Sequence, residues 1–533
     1  MAGMPFERST LFLIALAAVL PLIAGGALLW RRFYHDDPNN TARRVLKNSA
    51  VPLALRMFVR ALDMAFFVIL QRTLPGAQIG PYDLATLYVG QYLATIAEFG
   101  LGVLLTREAA RDPAAARRLF GVTLAMRLLL VVLASAPAAF LLISGYGLLG
   151  NLGYGEPISP IGQAAIWVLL LTLLPSAYSG AVTALYNANE RMEIPALVEV
   201  ATGVLGLVAR LAALWLGFGV IGLAWASVLV TTLTAGLFLV LQIRDFYPPT
   251  LVWNTPQMRQ ISVIALPLML NNLLNAVFFR FDILIIKAFG GGQGDLLVNQ
   301  YSVPYKVLGI AMILPPVVTF AVFPLLSRRA GGDRVAMAQA QNGTLRLLLL
   351  VGFPLAAAIS VLAADLIWLV NGRNTAQFLP ISADVLAILA WFLPFSFVNG
   401  LLQYVLIALN RQTSITRAFL IGAFFNLGAN LIFVPRYGLY AAAIITILSE
   451  IVLLAVFLPI LRRDGLLPPL VALAWRPLVG ALAMSAAMLG AHWLAGWPAA
   501  VLVAAPIYAG VLWILGAIGP EERRLLRRVL GRG

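Results

Sequence analysis

The sequence predicts an all-α, polytopic membrane protein. Its core is two six-helix lobes in a parallel internal repeat, with one extra helix before them and two after. Three observations carry this. Of 533 residues, 61% are hydrophobic and only 11% are charged, against about 25% charged in soluble domains. Apolar runs near the ~20 residues needed to cross a bilayer recur along almost the whole chain, with a mean hydropathy of +0.92. Short polar motifs return about 215 positions later, once per six runs.

The elements follow in order. Thr10 to Trp30 is apolar, with Glu7 and Arg8 before it and Arg31 and Arg32 after it. A signal peptide carries its positive charge first and a small-residue cleavage site afterwards, so this segment reads as a retained helix with its N-terminus outside. Residues 1–47 therefore form an extra transmembrane helix and a cytoplasmic linker. The first lobe, 48–243, holds α1 (49–70), α2 (82–105), α3 (119–143), α4 (161–185), α5 (194–216) and α6 (220–243). The second, 259–461, holds α7 (259–286), α8 (300–326), α9 (343–370), α10 (380–408), α11 (414–434) and α12 (438–461). Two further helices, α13 (474–495) and α14 (498–519), fill 474–519 and precede a basic cytoplasmic tail, 520–533.

Lysine and arginine fix the orientation. One set of loops holds Arg107, Arg111, Arg117, Arg118, Arg191, Arg244, Arg328, Arg329, Arg411, Arg462 and Arg463 among others. The alternate loops hold only Arg72, Lys287, Arg373 and Arg436, a bias of about six to one that makes the basic set cytoplasmic. The net charge of +15 thus reports orientation and gives no reason to expect nucleic acid.

The repeat is local and polar. Pro52-Leu-Ala-Leu-Arg56 with Arg60 in α1 matches Pro267-Leu-Met-Leu-Asn271 with Asn275 in α7. Gly222-Leu-Ala-Trp matches Gly438-Leu-Tyr-Ala, and Asn189-Glu-Arg191 matches Leu409-Asn-Arg411. Six spans per copy make the two copies enter the membrane from the same side. The expected site lies between the lobes near the midplane, an arrangement suited to alternating access.

Charges inside the spans point to the chemistry. Arg56, Arg60 and Asp63 lie at i, i+4 and i+7 of α1, on one helical face. A charge at the bilayer centre costs about 2.5–3.5 kcal/mol, so that face must see protein or water. Asp63 can neutralise only one of the two arginines, and arginine suits two-pronged phosphate binding. Arg127, Arg210 and Glu199 lie deep in α3 and α5, and Glu98 lies in α2. Arg280, Asp282 and Lys306 are in α7 and α8, Asp365 is in α9, and α10 and α11 add Ser396, Asn399, Asn426 and Asn430. Ion pairing between helices is the structural reading for Arg127, Glu199 and Asp365.

Enzyme motifs fail. Cysteine is absent and the only histidines, His35 and His492, are far apart, so neither a thiolate nor a HExxH metal site is expected. The three lysines, Lys47, Lys287 and Lys306, follow no phosphate-binding glycine loop. Gly217-Phe-Gly-Val-Ile-Gly222 matches GxGxxG, but no strand precedes it. No cofactor is implied.

Leu74-Pro-Gly76, Gly80-Pro-Tyr82, Glu98-Phe-Gly-Leu-Gly102 and Thr106-Arg-Glu108 resemble the start of polysaccharide (O-antigen type, Wzx-like) flippases. Tyr301-Ser-Val-Pro-Tyr-Lys306 and Phe323-Pro-Leu-Leu-Ser327 resemble their α7–α8 region. These belong to the multidrug/oligosaccharidyl-lipid/polysaccharide exporter superfamily, whose lipid II flippases carry two further C-terminal helices like α13 and α14. The resemblance implies movement of an undecaprenyl-diphosphate-linked oligosaccharide across the cytoplasmic membrane. It also implies diphosphate contacts at Arg56, Arg60 and Lys306, and ion coupling at Asp63 and Glu98. The repeat adds Asn271 and Asn275 as sugar contacts. Expected partners are the lipid-linked substrate, membrane lipids, and a polysaccharide polymerase and glycosyltransferases of the same process. Alternatives left open are a lipid II flippase, a cation-coupled multidrug antiporter, and a membrane-embedded glycosyltransferase or polymerase. The last needs a catalytic carboxylate, usually in a large outside loop, and the longest such loop, 144–160, holds only Glu156.

Overall fold

The computed structural model describes residues 41–153, 155–330 and 332–517, with backbone alone for 41–54, 320 and 321. The predicted leading helix and basic tail lie outside the described residues. Every described element is helical. α1 spans Thr41–Thr73, α2 Gly76–Arg111, α3 Ala116–Asn151, α4 Pro160–Ala188, α5 Glu193–Trp215, α6 Gly219–Asp245 and α7 Thr255–Phe289. α8 comprises Gly294–Ala311 and Leu314–Ala330, α9 comprises Arg334–Val361 and Ala363–Asn371, and α10 is Ile381–Ala408.

Gln412–Arg463 and Leu470–Ile514 are 52 and 45 residues long. Straight helices of that length would measure about 70–80 Å, more than twice the ~30 Å hydrocarbon thickness. Each breaks at a glycine in a conformation that side chains resist, Gly438 (φ 56°) and Gly496 (φ 78°). The chain reverses at both. Asn426 Nδ2 donates to Ser449 Oγ at 3.0 Å across the first break, and a Cβ at Gly480 would meet the Tyr508 ring at 2.9 Å across the second. These breaks define α11 (412–437), α12 (439–463), α13 (470–495) and α14 (497–514). Among the described residues, eleven helical stretches are long and apolar enough to cross a membrane, with Gln412–Arg463 and Leu470–Ile514 each taken as one. α1 is not among them, because Arg56, Arg60 and Asp63 interrupt its apolar run.

The chain divides into two compact units. One holds the described residues through Ala276 together with Lys287–Asn299; the other holds Val277–Ile286 and the chain from Gln300 onward. α7 contributes to both.

The α5–α6 and α11–α12 hairpins share their turn chemistry. Glu190 and Asn410, at φ 57° and 58°, end α4 and α10. In each case the next residue, Arg191 or Arg411, donates its N–H five residues back, to Tyr186 O at 3.0 Å or Leu406 O at 2.8 Å. The same arginines then bind an aspartate at the far end of the hairpin: Arg191 to Asp245 at 3.1 Å and Arg411 to Asp464 at 2.9 Å. The motif pairing Gly222 with Gly438 shifts in three dimensions. Gly438 is itself the turn, whereas Gly222 sits in the first turn of α6 and Gly219 (φ 56°) takes the turn position.

α13 and α14 cover α9, with Ala357, Ala481, Met484, Met488 and Ala500 buried together. Arg476 donates to Gly516 O at 3.1 Å, and Arg346 donates to Ala517 O. Two cations thus cap the negative end of α14.

Candidate functional site

α1 and α5 pack along their length and pair their charges in rungs. Arg56 Nε is 3.6 Å from Glu199 Oε2, and Arg210 Nη2 is 2.9 Å from Asp63 Oδ1. Arg210 is further fixed by Gly206 O at 3.1 Å and by the Phe66 ring, 4.5 Å from its guanidinium carbon. Asp63 therefore neutralises neither arginine of its own helix. Arg60, between the two rungs, is exposed and has no ion pair among the described residues. On the face that Arg56, Arg60 and Asp63 share, the positive charge without a carboxylate is on Arg60.

Glu98 has a different environment. α2 bends where Phe99 (φ 51°) and Gly100 (φ 72°) both turn left-handed. The Glu98 carboxylate accepts from Gly100 N at 2.8 Å and Gly102 N at 2.6 Å, restarting the helix at Leu101. It also faces Arg127, 1% exposed, at 3.5 Å, while Arg127 Nη1 donates to Ala177 O at 3.2 Å. Gly102 and Gly180 lie where a Cβ would press on Glu98 and Arg127. The pair is an internal brace. Glu199 and Asp365 are likewise paired, the latter with His492 at 2.9 Å.

Asn271 and Asn275 are half-buried, on the stretch of α7 that belongs to the first unit and not, as the repeat predicts, to the second. Lys306 is half-buried in the other unit. Where α7 meets α8 in the first unit, Lys287 is fully buried between Glu156 at 3.2 Å and Asp295 at 2.9 Å. Asn299 donates to Asp83 at 2.8 Å nearby, and a Cβ on Gly80 would overlap Asp295 O.

The second unit holds a carboxylate whose partners the sequence reading missed. Asp282, 1% exposed, accepts from Tyr301 OH at 2.5 Å and more weakly from Tyr305 OH at 3.4 Å. Tyr305 OH also lies 3.1 Å from Thr446 Oγ1. Arg280 stacks on the Tyr305 ring, 4.3 Å from its centroid, and makes no ion pair with Asp282. Tyr301 and Tyr305 are one turn apart in a helix facing α7, and that spacing was the available signal. The Ile283 N–H also donates to Asp282 Oδ1 at 2.9 Å. All these donors are neutral, so a proton or a small cation can exchange there without breaking a salt bridge. No described residues group three or more His, Asp or Glu as a metal cage.

Many spans, paired charges within them and an all-helical fold define a polytopic membrane protein. The family model described as polysaccharide biosynthesis protein matches residues 45–330, over half of the chain, and the chain belongs to that family. A second model, described as lipid II flippase MurJ, matches residues 248–496. A probable flippase AglR of Haloferax volcanii is 25% identical over 272 residues, covering 49% of this chain and 54% of the relative. The chain thus spans about half the length of that curated relative. Among solved structures, lipid II flippase MurJ in an inward closed conformation gives a TM-score of 0.68 at 13% identity, covering 90% of this chain and all of that one. A superfamily transporter from Pyrococcus furiosus gives 0.56 at 16% identity, covering 80% and 96%. These likenesses show the fold.

Proposed function

We propose that the protein moves a polyprenyl-diphosphate-linked oligosaccharide across the cytoplasmic membrane, from the side of the basic loops to the other. The single observation that carries the reading is Arg60. Arg56, Arg127 and Arg210 each have a carboxylate, and Arg60 has none among the described residues. An exposed, unneutralised guanidinium on a membrane helix is a ready contact for a diphosphate. Family membership and the flippase relative support the same substrate class. Arg56 shares the load from its weak pair with Glu199, Lys306 adds a point charge, and Asn271 and Asn275 offer amides to sugar hydroxyls. Asp63 and Glu98 are engaged by arginines, so coupling is better placed on acids that lack a cation, of which Asp282 is one.

Arg60→Ala should lower transport about 10- to 100-fold, the equivalent of the ~1.5–3 kcal/mol of a hydrogen bond to a charged group, with membrane protein level unchanged. Arg60→Lys should recover part of the loss, keeping charge without the fork. Normal transport by Arg60→Ala, or disappearance of the protein, contradicts the assignment.

A further inference from the structure

Glu450 lies in the middle of α12, 1% exposed. Its Oε2 accepts from Asn399 Nδ2 at 2.6 Å, and the same amide nitrogen donates to the Glu450 carbonyl at 2.8 Å. Ser396 stands beside the carboxyl from the same face of α10. Two acceptors in this cluster have no partner: Glu450 Oε1 and, on the 3% exposed Asn399, Oδ1. Both belong to groups already joined by one hydrogen bond. A buried carboxylate with only neutral donors beside it, Asn399 and Ser396, and a bare oxygen is a costly arrangement, several kcal/mol by desolvation alone. The missing element is a donor, and one proton supplies it.

Among the described residues, no cation forms an ion pair with Glu450. From α11, Asn426 bonds Ser449 and Asn430 bonds Asn426. From α8, Tyr305 reaches Thr446, one turn from Glu450, and beyond it lie Asp282 and the stacked Arg280. Asp384, in the first turn of α10, is held by Tyr440 at 3.0 Å, about 15 Å along α12 from Glu450. None of these is an ion-pair partner of Glu450.

We propose that Glu450 and Asn399 form a proton-binding site linking α10 to α12, with the carboxyl carried neutral in this state of the protein and its Oε1–H supplying the donor the cluster lacks. Deprotonation then requires α10 and α12 to part and admit water, so the proton is exchanged when the second unit changes shape. The use of that exchange to drive transport rests on the proposed flippase function; the protonation itself does not.

Infrared spectroscopy of the full chain in lipid bilayers tests the protonation directly. At pH 7 the wild type should show a carboxylic-acid C=O band, shifted in D2O, that is missing from Glu450→Gln. That variant, a neutral isostere, should keep the wild-type melting temperature within a few degrees. Identical spectra in that region would overturn the proposal, as would a sodium- or potassium-dependent rise in melting temperature lost in Glu450→Gln, which would make the site one for an alkali cation. Should Glu450→Gln fail to fold, Asn399→Leu reads the same band: its shift to higher frequency is expected, and an unchanged band contradicts the pairing. In proteoliposomes with a lipid-linked oligosaccharide, Glu450→Gln should lose the dependence of transport on a pH gradient. A wild type that moves no such lipid would remove the flippase reading while leaving the infrared result standing.

Discussion

Arg60 and Arg56 stand one helical turn apart in α1, yet their surroundings differ. Arg56 leans on Glu199 and Arg60 on nothing among the described residues. The sequence shows the surplus charge in α1, because i, i+4, i+7 spacing is visible in one dimension. It does not show which arginine keeps the surplus, since Asp63 is drawn to Arg210, 147 positions away. Asn275 is the repeat counterpart of Arg60, and an amide facing a sugar contributes about 0.5–1.5 kcal/mol per bond. Asn275→Ala should therefore lower transport of the native glycan by no more than about tenfold and relax sugar preference, read by competition between two lipid-linked sugars. A loss as severe and as uniform as that of Arg56→Ala would refute the division. Glu98 yields a sharper contrast. Glu98→Ala strands the buried Arg127, a loss on the order of 3–5 kcal/mol, and should deplete folded protein. Adding Arg127→Leu should restore much of it, as measured by thermal unfolding in detergent. An unchanged melting temperature for Glu98→Ala alone would contradict the brace.

At the scale of elements, the sequence displays spans well because the ~20-residue apolar period is a property of contiguous residues. The predicted bounds fall within a few residues of most observed helices; α1, α2, α3, α8 and α9 extend further at one or both ends, into charged or glycine-rich turns that hydropathy does not count. The breaks are less legible. The left-handed pair Phe99–Gly100 looks ordinary in the chain, and only the double acceptance by Glu98 explains it. The Arg–Asp clasps that close the α5–α6 and α11–α12 hairpins join residues some fifty positions apart, so the turn motifs were visible and their partners were not. Gly438 is the element on which α11 and α12 turn. Its φ of 56° with ψ of −137° is a region essentially reserved for glycine, and a side chain there costs about 1–3 kcal/mol. Gly438→Val should lower the melting temperature, whereas Gly428→Ala, in open space on α11, should leave it or raise it. Equal effects would mean the turn is not strained.

For the whole molecule, orientation is the property most open to test. The loop bias places 111–118 and 147–155 on opposite sides. A single cysteine introduced in the first segment should label only after permeabilisation, and one in the second should label in intact cells. Equal labelling would overturn the orientation. The repeat survives at this scale as recurring turn and clasp chemistry rather than as recurring charge: Arg56 and Arg60 in α1 answer to Asn271 and Asn275 in α7. Asp282 and Glu450, both held by neutral hydrogen-bond donors, fall in the second unit.

The most direct test of the central claim is leaflet redistribution of a fluorescent polyprenyl-diphosphate oligosaccharide in liposomes holding the purified full chain. The account predicts that wild-type protein exposes the inner-leaflet pool to an external quencher, and that Arg60→Ala, reconstituted to the same level, does so about 10- to 100-fold more slowly. No protein-dependent redistribution, or equal rates for the two proteins, would contradict it.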